Sequence, residues 1–349
     1  MKITPANIRK WSMLGQRGTA FGVSMPDIAS SKDNVKLLTA DLALLSGMDR
    51  YVSAYPEKFL NVGIAEQNMI GIAAGLAMEG DVVFATTYAS FIAVRSLEHI
   101  RQHLSYLGCN VKIIGSSAGV VAAKSGVSHM ATEDIAFMRA LPNMQVFSPA
   151  DSLEVLKVME YAADNDGPMY IRLSGGLNCP VVYKEDYDFE AGKLVRIDAA
   201  NEKRLIDEQD TANRDNGIEA GNNGVSSDIA VIATGLMVDE SGKAIELLRD
   251  RGISCDLYNM HTIKPIDREG LKKIFNDYKM IVTVEEHNIT GGMGSDVAEY
   301  KTAFAGAPRQ IMIGFNDCFV EPGSQRYVWE QAGLTAEKIA ERICMEYNI

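Results

Sequence analysis

A single carboxylate, Glu66, stands at the start of a long run of small and apolar residues in segment 61–77. No charged residue occurs between positions 68 and 78, and such a run indicates a buried helix. A carboxylate at the entrance of such a helix is partly removed from water, so Glu66 is a candidate to hold or transfer a proton near neutral pH. The structural alternative is that Glu66 only interacts favourably with the dipole at the helix N-terminus.

The composition is that of a globular protein long enough for two domains. The chain has 349 residues, 47% of them hydrophobic and 23% charged. Its net charge of −12 argues against nucleic acid or an anionic membrane as a partner, because no basic stripe is present to release counterions. The first residues lack the apolar core of a signal peptide, and no uncharged apolar run reaches membrane-spanning length, so we expect a cytoplasmic protein.

The five cysteines are scattered at positions 109, 179, 255, 318 and 344, with no C-x-x-C pair. Their spacing matches neither a disulfide framework nor a metal site, so we expect buried free thiols and no metal ligands in this chain.

Short apolar runs alternate with helical patterns along the chain. Strand-like runs occupy 35–40, 82–85, 111–115 and 229–234, and helical patterns occupy 66–78, 91–106 and 239–250. Strands separated by helices imply right-handed crossovers. The sequence therefore predicts an α/β fold with two three-layer α/β/α domains and mostly parallel sheets.

The predicted domains are 1–186 and 228–349, joined by a linker at 187–227. Within the linker, segment 201–227 is rich in Asn, Asp, Glu, Gly and Ser and has few residues that could be buried. We interpret it as a polar, acidic insertion that forms a mobile loop without a function of its own.

Several motifs reach well beyond the Glu66 helix. They are N-V-G-I-A-E-Q at 61–67, S-H at 128–129, segment 133–144, N-M-H-T-I-K-P at 259–265 and E-E-H-N at 285–288. Over nearly the whole chain they resemble the pyrimidine-binding and C-terminal domains of transketolases, which depend on thiamine diphosphate. Motifs of this length in this order are specific to the superfamily and do not name a substrate.

The resemblance implies roles for five residues. Glu66 matches the catalytic glutamate that hydrogen-bonds a ring nitrogen of the cofactor's aminopyrimidine. Tyr88 and Phe91 match the aromatic wall beside that ring, and Asp41 matches an acid that borders the cofactor. His129 matches a catalytic histidine that contacts the substrate, where it can donate or accept a proton. Without the resemblance, the two aromatic residues would be ordinary core residues and His129 a structural one.

A complete transketolase also carries a domain with a G-D-G segment that holds Mg²⁺ and the cofactor diphosphate. This chain has no such segment. The resemblance therefore implies one subunit of a split enzyme, whose partner is an N-terminal diphosphate-binding transketolase subunit that holds most of the Mg²⁺ contacts. We expect an α2β2 assembly with the cofactor at an interface and little activity for this chain alone.

The substrate-binding positions depart from the family pattern. Ser117 stands where the family has a phosphate-binding histidine, Ser125 stands where it has an acid, and Gly175 follows the R-L-S strand where it has an arginine. Arg17 is aligned with one remaining phosphate contact. These losses indicate a non-standard substrate, without a terminal phosphate or with the anion elsewhere, as in a nucleotide-linked sugar. The alternative is that other groups of this chain or of its partner replace the missing contacts.

The leading functional prediction is transfer of a two-carbon ketol or acyl unit to an aldehyde or ketone sugar acceptor. Two other enzyme activities stay open: a deoxyxylulose-phosphate-synthase-like reaction, and the β subunit of a 2-oxo acid dehydrogenase E1 component. A non-catalytic regulatory subunit is the alternative from a different class, since fold alone does not imply function.

Overall fold

The computed structural model describes residues 2–197, 203–205 and 227–347. These residues form two mostly parallel sheets, one of seven and one of six strands, with helices packed against them. The strands are β1 (Val35–Thr39), β2 (Phe59–Asn61), β3 (Val82–Tyr88), β4 (Val111–Ser116), β5 (Gln145–Phe147), β6 (Met169–Leu173), β7 (Val195–Ile197), β8 (Lys203–Leu205), β9 (Ile229–Ala233), β10 (Cys255–Asn259), β11 (Thr262–Lys264), β12 (Met280–Asn288) and β13 (Arg309–Phe315). The predicted fold class is confirmed.

The helices lie mainly between consecutive strands. The α-helices are α1 (Pro5–Thr19), α2 (Met25–Ser31), α3 (Asp49–Ala54), α4 (Glu66–Met78), α5 (Leu97–His99), α6 (Asp134–Ala140), α7 (Ser152–Asp164), α8 (Met237–Arg249), α9 (Arg268–Asp277), α10 (Met293–Lys301), α11 (Gln325–Ala332) and α12 (Ala336–Tyr347). π-Helical segments occur at Ala20–Ser24, Phe91–Arg95 and Ile100–Tyr106. Short 3₁₀ turns occur at Pro56–Lys58, Ala123–Ser125 and Val127–His129.

Helices cover both faces of the first sheet, whose strand order is β11-β5-β6-β4-β3-β1-β2. Along β1, Leu37 and Leu38 point to opposite faces and belong to different core clusters. Leu38 shares its cluster with Ala73 of α4, and Leu37 shares its cluster with Val158 of α7. The carboxyl ends of β1, β3 and β4 therefore meet at one edge of a fully covered sheet, which is where α/β folds bind ligands.

The second sheet has the order β13-β12-β9-β10-β7-β8. Its central strands are parallel, and β7 and β8 pair antiparallel at one edge. Strands β7 and β8 both fall within the predicted linker, and β8 also falls within the predicted insertion. Apart from Lys203–Leu205 and Ser227, segment 201–227 lies outside the described residues.

The two sheets are joined by two features that local sequence patterns did not predict. Strand β11 leaves the second unit and pairs antiparallel with β5 of the first sheet, where Thr262 lies opposite Phe147. Beside it, the buried Arg172 donates to Oδ2 of Asp134 at 2.9 Å and to the main-chain oxygen of Glu286 at 2.8 Å. Because Glu286 lies on β12, this buried cation links the two units directly.

The cysteine prediction holds only in part. Cys109, Cys179 and Cys255 are buried, whereas Cys318 is exposed and Cys344 is half-buried. Cys318 lies in the connecting segment between β13 and α11, outside the regular elements.

Among the described residues, no helix combines the length and the apolar character needed to cross a membrane.

His287 is buried between the two units as a neutral histidine. Its Nδ1 lies 2.7 Å from the main-chain oxygen of Asn288, and its Nε2 accepts from the main-chain N–H of Ala136 at 3.4 Å. Both contacts fit the tautomer protonated at Nδ1, and a second proton on Nε2 would face the Ala136 N–H. Burial accordingly lowers the pKa of His287 to about 4, and burial lowers that of His261 to about 3.

We predict that His287 contributes stability above pH 6.5 that is lost as the pH falls towards 4. In the unfolded chain a histidine binds a proton near pH 6.5, so acid favours unfolding with a slope of about 1.4 kcal/mol per pH unit for each buried neutral histidine. Burial raises the pKa values of Glu285 and Asp151 to about 7, so these two carboxyls make the folded protein more stable as the pH falls. The effect of His287 must therefore be measured as the difference in unfolding free energy between the wild type and a His287 variant.

The measurement is the free energy of unfolding in urea at pH 7.5, 6, 5 and 4.5 for the wild type and for His287→Gln. The difference between the two proteins should shrink steadily below pH 6.5, because the variant has no imidazole to protonate. A difference that stays constant over this range would contradict the prediction.

Candidate active site

Glu66 is the first residue of α4, and its side chain is 10% exposed. Its Oε1 accepts from Nη1 of Arg95 at 2.9 Å. The next residue, Gln67, donates from Nε2 to the main-chain oxygen of Arg95, also at 2.9 Å. The structure thus has the partly buried carboxylate at the helix entrance that the sequence predicts, and it supplies a cationic partner that sequence reasoning missed.

Three of the predicted residues form one aromatic cluster beside this ion pair. The ring centroids of Tyr88 and Phe91 are 5.5 Å apart, and those of Phe91 and His129 are 5.1 Å apart. The guanidinium carbon of Arg95 lies 3.9 Å from the centroid of the Phe91 ring, within the range of a cation–π interaction. Arg95 therefore connects the carboxylate to the aromatic cluster.

The segment that carries Phe91 and Arg95 is not the continuous α-helix that the sequence predicts for 91–106. It consists of a π-helical turn, Phe91–Arg95, a short α-helical turn and a second π-helical segment. π-Helical turns often occur at functional sites. The sequence signal for Arg95 is its spacing, because residues four apart lie on one side of a helix and Phe91 is already a candidate.

His129 ends a 3₁₀ turn and is half-buried at the edge of the cluster. Its Nδ1 lies 3.0 Å from the hydroxyl of Ser128. The loop that carries His129, between β4 and α6, is fixed by an antiparallel bridge between Gly119 and Ala131. Gly119 has a φ of 64°, and a side chain there would collide with the buried carboxylate of Glu286, so the second unit helps to shape this loop.

Asp41 lies at the end of β1, close to the segment that leads to Glu66. Its main-chain N–H donates to Oδ1 of Asn61 at 3.1 Å, and the side-chain amide of Asn61 donates to Oδ1 of Asp41 at 3.2 Å. Asn61 also accepts from the N–H of Gly63 at 3.0 Å. Asp41 is exposed and thus borders the Glu66 loop with a carboxylate that a ligand can reach.

Hydrogen bonds link some of the predicted substrate residues to one another, and another lies apart from them. Arg17 donates from Nη1 to the hydroxyl of Ser117 at 3.2 Å, next to Ser116, which is paired with Tyr88. The N–H of Gly175 donates to the side chain of Gln16, the neighbour of Arg17, at 2.7 Å. Ser125 is exposed on its own 3₁₀ turn, and no hydrogen bond in the described ranges joins its side chain to these residues.

The chemistry of the site fits the aminopyrimidine end of thiamine diphosphate. A planar nitrogen heterocycle needs an aromatic surface and a carboxylate that can bond a ring nitrogen, and Phe91, Tyr88 and Glu66 supply both. The diphosphate end needs a divalent cation on oxygen ligands. In the part of the chain that the structure describes, no three His, Cys, Asp or Glu side chains are grouped to hold a metal ion.

Family models match this chain in two consecutive blocks. Residues 16–179 match the transketolase pyrimidine binding domain, and residues 223–339 match the transketolase C-terminal domain. The chain belongs to the transketolase family. The resemblance inferred from the motifs is thereby confirmed, and family membership implies dependence on thiamine diphosphate.

Transketolase relatives match the chain over most of both lengths. A putative transketolase C-terminal section from Methanocaldococcus jannaschii is 36% identical over 93% of this chain and 94% of that protein. A 6-deoxy-6-sulfo-D-fructose transketolase subunit from Clostridium sp. (strain MSTE9) is 34% identical over 90% of this chain and 88% of that protein. A solved split-gene transketolase, described as an inactive β4 tetramer, is 34% identical, has a TM-score of 0.78 and is matched over 94% of this chain and 97% of its own.

Proposed function

We propose that this chain is the pyrimidine-binding subunit of a thiamine-diphosphate-dependent, transketolase-like enzyme that transfers a two-carbon ketol unit to a sugar acceptor. The observation that carries the proposal is the placement of the Glu66 carboxylate beside the Tyr88–Phe91–His129 cluster. When bound, thiamine diphosphate supplies the carbon nucleophile that takes up the two-carbon unit.

The chain's own residues have separable tasks in this proposal. Glu66 exchanges a proton with the ring nitrogen of the aminopyrimidine, while Phe91 and Tyr88 hold the ring between apolar surfaces and exclude water. Asp41 borders the cofactor from the end of β1. His129, at the open side of the cluster, donates a proton to or accepts one from a substrate hydroxyl or carbonyl.

We further propose that activity requires an N-terminal diphosphate-binding transketolase subunit, which would bind Mg²⁺ and the diphosphate, in an α2β2 assembly. Two exposed apolar side chains next to predicted site residues support this. Leu44, three residues after Asp41, is 76% exposed, and Ile64, two residues before Glu66, is 79% exposed. Exposed apolar surface at a functional edge is typical of a protein interface. The description of the similar split-gene transketolase as an inactive β4 tetramer also supports a chain that is inactive without its partner.

The acceptor is proposed to be a non-standard sugar, either without a terminal phosphate or with its anion elsewhere, as in a nucleotide-linked sugar. Support for a remaining anion contact comes from Arg17, whose Nη1 donates to the hydroxyl of Ser117 at 3.2 Å and so puts a cation beside a predicted substrate residue. The similar subunit from Clostridium is named for a sulfonated sugar, which supports variation of the substrate anion among such subunits.

Glu66→Gln in the complex with the partner subunit should lower turnover by about 10²- to 10⁴-fold, because the amide keeps the shape but cannot exchange a proton. Steady-state turnover should be measured with ketose donors and, in parallel, with pyruvate. Ketose activity that Glu66→Gln reduces supports the proposal, whereas activity with pyruvate alone would favour a deoxyxylulose-phosphate-synthase-like enzyme.

The matched control is Glu79→Gln, at the exposed C-terminal end of the same helix, which should keep wild-type turnover. Undiminished turnover in Glu66→Gln would contradict the catalytic role of Glu66. An assembled wild-type complex without activity on any donor would favour the non-catalytic alternative.

Arg17→Met should raise KM for an anionic sugar about 10- to 100-fold and leave KM for a neutral sugar nearly unchanged, because hydrogen bonds to charged groups contribute about 1.5–3 kcal/mol. KM is measured for both sugar types in wild type, in Arg17→Met and in Arg9→Met, an exposed arginine on the same helix. Equal losses for the two sugars in Arg17→Met would contradict an anion-binding role.

A further inference from the structure

Arg95 is attached to the beginning of α4 by two different groups. Its guanidinium Nη1 donates to Oε1 of Glu66 at 2.9 Å, and its main-chain oxygen accepts from Nε2 of Gln67 at 2.9 Å. The first contact fixes the carboxylate, and the second fixes the helix N-terminus relative to the π-helical turn that follows β3. A contact that engages both side chain and main chain restricts the orientation of Glu66 more than a lone ion pair does.

The same guanidinium is packed against the aromatic cluster. Its carbon lies 3.9 Å from the centroid of the Phe91 ring, whose edge contacts His129. The Arg95 side chain is 49% exposed, whereas that of Glu66 is 10% exposed. The pair thus stands at the boundary between the buried start of α4 and the open side of the site, where screening by water is reduced for the carboxylate.

Among the described residues, hydrogen bonds engage one of the two carboxylate oxygens of Glu66. Arg95 takes Oε1, and no hydrogen bond within the described ranges takes Oε2. Oε2 is not one of the fully buried polar atoms without a hydrogen-bond partner, so solvent or a ligand can reach it. A carboxylate held by one oxygen presents the other in a fixed direction.

We propose that Arg95 is a positioning residue for Glu66. It holds Oε1 so that Oε2 faces the ring nitrogen of the aminopyrimidine next to Phe91. This inference rests on the proposed function and adds a role for a residue that neither the sequence motifs nor the family match assigns.

The charge of Arg95 also bears on the proton transfer from Glu66 to the ring nitrogen. When the proton on Oε2 moves to the ring nitrogen, the O–H bond breaks, an N–H bond forms and Glu66 is left as a carboxylate. A guanidinium stays charged, so its contact is strongest with that carboxylate. Arg95 therefore contacts Glu66 most strongly after the proton has moved to the ring nitrogen.

The test uses the complex with the partner subunit, thiamine diphosphate and Mg²⁺, and two variants. Arg95→Met keeps an unbranched apolar side chain without the charge, and Arg95→Lys keeps the charge without the planar fork. The first readout is the rate at which the thiazolium C2 proton of the bound cofactor exchanges with deuterium, followed by NMR after acid quenching. The second is the Kd of the cofactor from calorimetry, and light scattering confirms that each complex has assembled.

Arg95→Met should slow the exchange about tenfold or more while Kd changes less than about threefold, because orientation is lost but most cofactor contacts remain. Arg95→Lys should recover part of the exchange rate. The matched control is Arg101→Met, which removes an arginine that pairs with Glu98 on the exposed side of the same segment, and it should leave both readouts unchanged.

Exchange in Arg95→Met at the wild-type rate would overturn the inference. Tighter cofactor binding by Arg95→Met would also overturn it, since Arg95 would then compete with the cofactor for Glu66 and Phe91. The variant Glu66→Gln distinguishes failure of the proposed function from failure of the Arg95 role. If its bound cofactor exchanges the C2 proton as fast as in the wild type, the proposed function fails. If Glu66→Gln is slow and Arg95→Met is not, only the role of Arg95 fails.

Discussion

A carboxylate at the mouth of an apolar helix needs a partner, because removing an isolated charge from water costs far more than a neutral contact returns. In this chain the partner of Glu66 is Arg95, and their 2.9 Å contact constrains much of the site. It requires the turn after β3 to bring Arg95 over the start of α4. That same turn places Phe91 against the guanidinium and beside His129.

The second unit supports this arrangement through contacts with the loop between β4 and α6. The main-chain N–H of Val120 donates to Glu286 at 3.3 Å, and Ala131 accepts from Arg172 at 3.1 Å. Both contacts fix the loop between β4 and α6, which carries His129, and Arg172 itself is held by Asp134 of the first unit. The C-terminal unit therefore helps to shape the loop that carries His129.

The sequence predicts those parts of the structure that depend on local pattern. The uncharged run after Glu66 predicts α4, and the alternation of strands and helices predicts the fold class. Arg95 was missed because an arginine in a helical pattern normally indicates a solvated face, and only the tertiary contact with Glu66 gives it a different meaning. Strand β11 was missed because three residues that pair across the two units have no periodicity of their own. The π-helical turns within 91–106 were missed because the apolar spacing of a π-helical turn is hard to distinguish from that of an α-helix.

The central claim is that this chain supplies the pyrimidine half of a cofactor site whose diphosphate half lies on another subunit. Calorimetric titration of thiamine diphosphate with Mg²⁺ into this chain alone, and into its mixture with the diphosphate-binding subunit, tests the claim most directly. We predict binding in the mixture and none measurable by the chain alone, because the aromatic cluster and Glu66 offer no ligands for the metal and the diphosphate. Tight binding by the chain alone would contradict the account.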